Sequence, residues 1–449
     1  GSTLFANNGN PLNVTNSGTI AVNSGTLDLS VPAFTMTGGT INVDSGATAV
    51  KNSGILDWQG GTLGGTGTLS TSNGAVINAT GSGTHVLDGP NLHLNSLALS
   101  AGGTLEVQAG TLTLDNASTL VSGTTLKVSG GSLIASANFD NQGLLTATAG
   151  SASLNGGGTH SGEFRTAGAG TIDFAGGTHN LGDGSVLDGE GILHSGGSLL
   201  LTGNTTGTTI GSNGIVNLNL IGFGGSGNLT NLGSVSGNSL TLPGNFANQA
   251  GASASLTNVT ISGNLYNRGN FTTGGLVTVA GPIAQQLGGV MTLPAGSTLD
   301  MSNPAGVFSW VDGTIGGAGT LGFSGGGTFL FAGTGDRVID GLNFAFTNLT
   351  LPDGSLTLKS GSLTLSGATV LPAGVALNLF GGTLTNNGSL DVAGAFSLTG
   401  GAFGGTGSLT MSGGSLSLPA GNSVAWTNSG TLTNTGTLNL ASSTITNAI

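Results

Sequence analysis

The sequence predicts an all-β chain wound as a solenoid of roughly 20 residues per coil. Three observations predict it. Leu, Val and Ile alternate with Thr, Ser and Asn in short runs; Gly, Ser, Asn or Asp interrupts those runs about every six to eight residues; and one long glycine-rich phrase occurs twice.

The composition agrees. Of 449 residues, 89 are Gly and only 5% are charged, so the straight-chain charged residues that favour helices are nearly missing. The apolar share of 37% is still enough to build a core. Six Lys plus Arg against eighteen Asp plus Glu give a net charge of -12. The cations Lys51, Lys127, Arg165, Arg268, Arg337 and Lys359 are too scattered to neutralise phosphates, so nucleic acid is not an expected partner. With no cysteine there are no disulfides, thiolate metal sites or Cys nucleophile. No apolar run is long enough to span a bilayer, and the opening GSTLFANNGN lacks the basic and apolar regions of a signal peptide.

Taken along the chain, the first informative phrase is DWQGGTLGGTGTL, beginning at Asp57. Its glycines fit neither a phosphate loop, which needs a following Lys-Ser or Lys-Thr, nor a dinucleotide loop, which opens a long helix. They also lack the regularly placed Asp of calcium-binding nonapeptides. Tight corners are the reading that remains, with Trp58, and Trp310 in the later copy, expected to cap or stack at a coil edge. From Gly103, GTLEVQAGTLTLDNASTL places aliphatic residues at alternate positions, the period of half-buried strands. Three such sides, each closed by a turn, make one coil.

Asn-x-Gly-x-aliphatic units begin at Asn16, Asn23, Asn52, Asn141, Asn231, Asn267, Asn428 and Asn434, the last two near the chain end and the Asn267 unit closing on Phe. Asn and Gly tolerate left-handed backbone, and Asn side chains satisfy local backbone groups. Stacked coil on coil, some of these Asn are expected to form hydrogen-bonded ladders.

The one enrichment in titratable residues is His160, Glu163, Arg165, Asp173, His179, Asp183, Asp188, Glu190 and His194. With coils of about 20 residues, His160 and His179 fall on neighbouring coils, where they could hold a metal or act as acid and base. Solvated turns are the competing reading. No residue is committed to a catalytic, cofactor or metal role, and folding is expected to need neither calcium nor zinc.

SWVDGTIGGAGTL, beginning at Ser309, repeats the first phrase. Aligned without a gap, residues 58–99 and 310–351 agree at about 18 of 42 positions, including Asp88-Gly89 with Asp340-Gly341 and Asn91 with Asn343. GSLTLKSGSLTLSGATVL from Gly354 resumes the alternation, and a weaker copy of the phrase lies near 398–410, with Leu398 in place of the Trp. The whole chain, 1–449, reads as a single continuous solenoid segment.

The phrase Trp58-x-Gly-Gly-Thr-Leu-x-Gly-x-Gly-Thr-Leu, followed by Leu87-Asp88-Gly89, together with the Asn-x-Gly units, resembles the β-strand-repeat regions of large bacterial surface and secreted proteins. These are the filamentous-haemagglutinin-like, two-partner-secreted and autotransporter adhesins. The resemblance implies a right-handed parallel β-helix serving as an extracellular stalk or adhesive fibre. Its partners would be host or cell-surface glycans or proteins, or neighbouring copies stacked end to end. A secretion domain and a translocator barrel are both missing, so the chain reads as an internal segment.

Two alternatives stand beside that expectation: a β-helical carbohydrate-active enzyme and a passive scaffold. An enzyme of this fold concentrates paired carboxylates, or Asp with Lys and Arg, on one face. Here most acids stand alone, and the chain is not expected to be an enzyme.

Overall fold

The computed structural model describes residues 13–71, 74–218, 224–418, 425–428 and 431–440. Sixty short strands and no helix lie among them, three strands to a coil, making about 20 coils. The pairings are parallel, and partners such as Thr104 and Thr125, or Leu144 and Glu163, sit one coil apart. This is the all-β parallel solenoid with roughly 20-residue coils that the sequence predicts. No helix among the described residues is long and apolar enough to cross a membrane.

The chain divides into two compact units, Gly1–Val235 and Ser236–Ile449. In the first, one wall is a sheet running from Thr19–Val22 to Leu229–Asn231. A second wall passes from Thr26–Asp28 through Thr68–Thr71, and then from Leu92–Leu94 to Ile192–Leu193. The third runs from Asn13–Asn16 to Ser96–Leu99 and from Ser118–Leu120 to Gly224–Gly225.

Alternation decides which side chains enter the core. Thr125–Val128 points Leu126 and Val128 inward, while Thr125 and Lys127 face out. Leu105, Leu126, Leu145, Phe164 and Leu187 are in register on successive coils, all buried. Each such side chain contributes roughly 1.5–3 kcal/mol by leaving water. On the outer face, Glu106 and Lys127 are register partners and pair at 2.9 Å.

In the second unit, the wall of Phe246–Asn248, Leu265–Asn267, Ile283–Gln285 and Val307–Trp310 ends at Thr328–Phe331. A neighbouring wall ends at Thr320–Gly322. The next strands, Asp336–Phe346 and Ser355–Leu365, are eleven residues each and bend across two walls: the first half of Ser355–Leu365 pairs with Ala376–Leu379 and the second with Thr383–Asn386. Where the walls stop, buried Phe308, Phe331 and Phe344 and half-buried Phe323, Phe329 and Phe346 cluster about Trp310, with Phe308 and Phe329 stacked at 5.0 Å.

The twice-written phrase makes corners. Gly65 has φ 96° and Gly89 φ 121°. A Cβ on Gly65 would strike the Val43 carbonyl oxygen of the preceding coil, and one on Gly89 would strike that of Gly65. Gly317 and Gly341, φ 105° and 106°, repeat the arrangement in the second copy. Trp58 and Trp310 are not at a coil edge, as expected, but fully buried. Their indole N–H groups donate to Gly61 O at 3.2 Å and Asp312 O at 3.0 Å, which lets the rings go inside without an unpaired donor.

The Asn units hold the turns in two directions. Oδ1 of Asn16, Asn141, Asn231 and Asn434 accepts the N–H two residues on, at 3.0–3.2 Å. Nδ2 of Asn141 then donates to Glu163 O, one coil later, at 3.0 Å. A true ladder runs through buried, in-register Asn248, Asn267 and Gln285: Nδ2 of Asn248 donates to Asn267 Oδ1 at 2.9 Å, and Nδ2 of Asn267 to Gln285 Oε1 at 2.8 Å. Asn23 is exposed, Asn52 instead binds Asp28, and the Asn428 side chain lies outside the described residues. So do residues 1–12 and 441–449.

Replacing Gly65 by Ala forces both a strained φ and a clash with backbone, and should cost about 2–4 kcal/mol. Gly38 has open space around it and no positive φ, so Gly38→Ala should stay within about 0.5 kcal/mol. Equilibrium denaturation of the two variants checks this; equal losses would refute the corner assignment.

Candidate functional site

The titratable stretch from His160 to His194 splits by strand parity into an inner and an outer set. Gly158–His160 and Thr178–Leu181 lie on successive coils of one wall and turn both imidazoles into the core. His160 Nε2 and His179 Nδ1 are 3.0 Å apart, with the rings stacked at 5.3 Å between the edges of Phe164 and Phe174.

The surroundings settle the protons. Nε2 of His179 faces only carbonyl oxygens, Gly176 O at 2.9 Å and Leu154 O at 3.2 Å, so it carries a hydrogen and its Nδ1 accepts. His160 Nε2 therefore donates, and His160 Nδ1 accepts the Asn141 N–H at 3.3 Å. Both rings are neutral and fully satisfied. Burial, and then the neighbouring His179, push His160 down to about 3. His179 is also lowered, by burial first, with the two carbonyls opposing.

The acids of the stretch lie outside, and Asp173, Asp183 and Asp188 act as staples between coils. Asp173 accepts Ser195 N at 2.9 Å and Ser195 Oγ at 2.6 Å. Asp183 gathers the N–H groups of Thr205, Thr206 and Gly207, and the Gly207 N–H is the main cause holding its carboxyl below the ordinary range. Asp188 binds Asn213 N at 2.9 Å and its Nδ2 at 3.3 Å. Glu163 and Arg165 pair with each other at 2.5 Å on one strand. Elsewhere Asp140 and Asp300 hold Thr159 N and Ser324 N in the same way.

Two recesses open beside this stretch, where the coils lengthen: Arg165 pairs with Asp188, 23 residues on, against 19 for Thr146 with Arg165. The larger, about 660 Å³, is lined by Arg165, Thr166, Asp188, Glu190 and Asn213 among others. The smaller, about 320 Å³, reaches core residues Phe174, Leu187, Leu199 and Val216, with His194 on its wall. Burial lowers His194, with Asp173 opposing.

The structure thus brings His160 and His179 together, as the coil length suggested, but in the core, away from the carboxylates. Among the described residues no group of three or more His, Cys, Asp or Glu could hold a metal ion. Sequence reading missed that Lys51, His85 and Arg337 are fully buried, and it missed Asn386, whose Oδ1 and Nδ2 bind Gly388 N and Ser408 O. The Asn386 unit was legible as Asn-x-Gly-x-Leu; the inward parity of the three cations was not. No protein-family model matches the chain, and neither the curated proteins nor the solved structures contain one significantly similar to it.

A histidine held neutral in the fold but free to protonate when unfolded makes acid destabilising. His160 should cost stability as pH falls from the ordinary 6.5 toward about 3. Melting temperature followed over that window should drop, and drop less in His160→Asn, where an amide would meet its register partner Asn141. An unchanged slope in the variant would contradict the assignment.

Proposed function

We propose that this chain is a structural or adhesive segment of a bacterial surface or secreted protein, an extracellular stalk or fibre wound as a right-handed parallel β-helix. The observation that carries the reading is how the reactive side chains are used. Asp140, Asp173, Asp183, Asp188 and Asp300 are taken up in holding the next coil's turn, and His160 and His179 in filling the core. What remains on the outer faces is chiefly Thr, Ser and Asn, such as Thr104 and Thr125 or Ser132 and Ser151, in register. A chain that spends its chemistry on coil cohesion suits repetition and display more than turnover. The glycine-phrase resemblance to adhesin repeats points the same way.

The recess at Asp188 and Glu190 favours a second reading, a β-helical carbohydrate-active enzyme, since two carboxylates there share a concave surface with Arg165. One experiment separates the readings. The purified chain is passed over immobilised glycans and extracellular-matrix proteins, and in parallel incubated with soluble polysaccharides while reducing ends and unsaturated products are measured. Retention without products is expected. Products that vanish in Asp188→Asn or Glu190→Gln would establish the enzyme, and neither retention nor products would leave a passive scaffold.

A further inference from the structure

The two copies of the repeat differ at a position that both bury completely: His85 in the first, Arg337 in the second. Their partners correspond. His85 Nε2 lies 2.8 Å from Trp58 O, and Arg337 Nε donates to Trp310 O at 2.9 Å, each across 27 residues. His85 Nε2 also lies 2.9 Å from Thr80 O, and an Arg337 Nη2–H donates to Ala332 O, each across five residues. Arg337 completes its set on the carbonyls of Gly333, Gly335 and Asp353 at 2.8–3.0 Å, and His85 on Thr104 O, 3.0 Å from Nδ1. The indole and imidazole of Trp58 and His85 meet edge to face at 5.1 Å.

Carbonyl oxygens only accept, and a neutral imidazole has a single N–H. Both nitrogens of His85 face carbonyl oxygens within hydrogen-bond distance, so a ring with one N–H would turn a lone pair against an oxygen inside the core. We propose that His85 carries a hydrogen on both ring nitrogens and latches the first corner onto three carbonyl oxygens, as Arg337 latches the second.

No carboxylate faces the ring. On the strands packed against it, Ile55–Trp58, Gly61–Gly64, Val76–Gly81 and Thr104–Ala109, and on its own Thr84–Asp88, the titratable residues are Asp57, Glu106 and Asp88. All three take outward positions: Asp57 binds Thr80 Oγ1 and Gln59, Glu106 binds Ser129 and Lys127, and Asp88 is exposed. The ring rests on backbone dipoles alone, whereas the carboxylates of Asp312, Asp336 and Asp353 act on Arg337. Lys51 is also buried, with Nζ donating to Leu29 O at 2.8 Å and Val31 O at 2.5 Å and the Asp28 carboxylate acting on it.

In the full-length chain labelled with nitrogen-15 histidine, His85 should give two protected ring N–H signals, both missing in His85→Arg. One signal, or none, overturns the proposal. Hydrogen–deuterium exchange at a single pH checks that the two corners are held alike: amides of 58–62 and 80–85 should keep their protection in His85→Arg and lose at least about tenfold in His85→Ala. A His85→Arg chain less protected there than the unaltered one, or a His85→Ala chain equally protected, refutes the latch.

Discussion

Parallel pairing between successive coils is the constraint on which the rest of this structure depends. A strand in such a coil directs its N–H and C=O groups toward the coils before and after it, so no coil satisfies its own backbone. Each wall must therefore repeat at nearly the same height, and any surplus residues are pushed out at the turns. At the corners the chains approach so closely that side chains cannot fit, which is why Gly65 lies against Val43 and Gly89 against Gly65. Where coils grow longer, as between Arg165 and Asp188, recesses open at the surface.

The same repetition sets the terms for polar groups in the core. An amide or imidazole entering it needs a partner, and the only partners at the right height are its own counterparts on adjacent coils or the backbone of a corner. Asn248, Asn267 and Gln285 solve this as a chain of amides, and Asn141, His160 and His179 as a chain running from a backbone N–H to a backbone carbonyl. Lys51, His85 and Arg337 end on backbone carbonyl oxygens near the turns. Carboxylates stay outside and do the complementary task, accepting N–H groups of the next turn, as Asp183 does from three residues at once.

This division explains why the fold was legible and the candidate site was not. Alternation, glycine corners and the duplicated phrase are local signals, and the observed coils follow them. The Asn-x-Gly units were correctly read as turns, yet only some build ladders: Asn267 sits inside, whereas Asn23 of the same motif is exposed. His160 and His179 were rightly placed on neighbouring coils, but the acids grouped with them in sequence face the opposite side of the wall. Trp58, expected at an edge, went inside because Gly61 supplies an acceptor for its N–H.

The sequence by itself determined that the chain is built of strands, that it turns every few residues, and that it coils with a period near 20, because each of these depends on neighbours close along the chain. Only the tertiary structure decided which polar side chains enter the core and what they meet there. His93 and His160 show the difference: one lies exposed beside Asp115 at 3.0 Å, the other is sealed against His179. The physical reason is parity combined with register. A shift of one residue turns a side chain from one face to the other, and its partner lies a full coil away, at a distance that varies from 17 residues between Ala254 and Phe271 to 25 between Ile283 and Phe308.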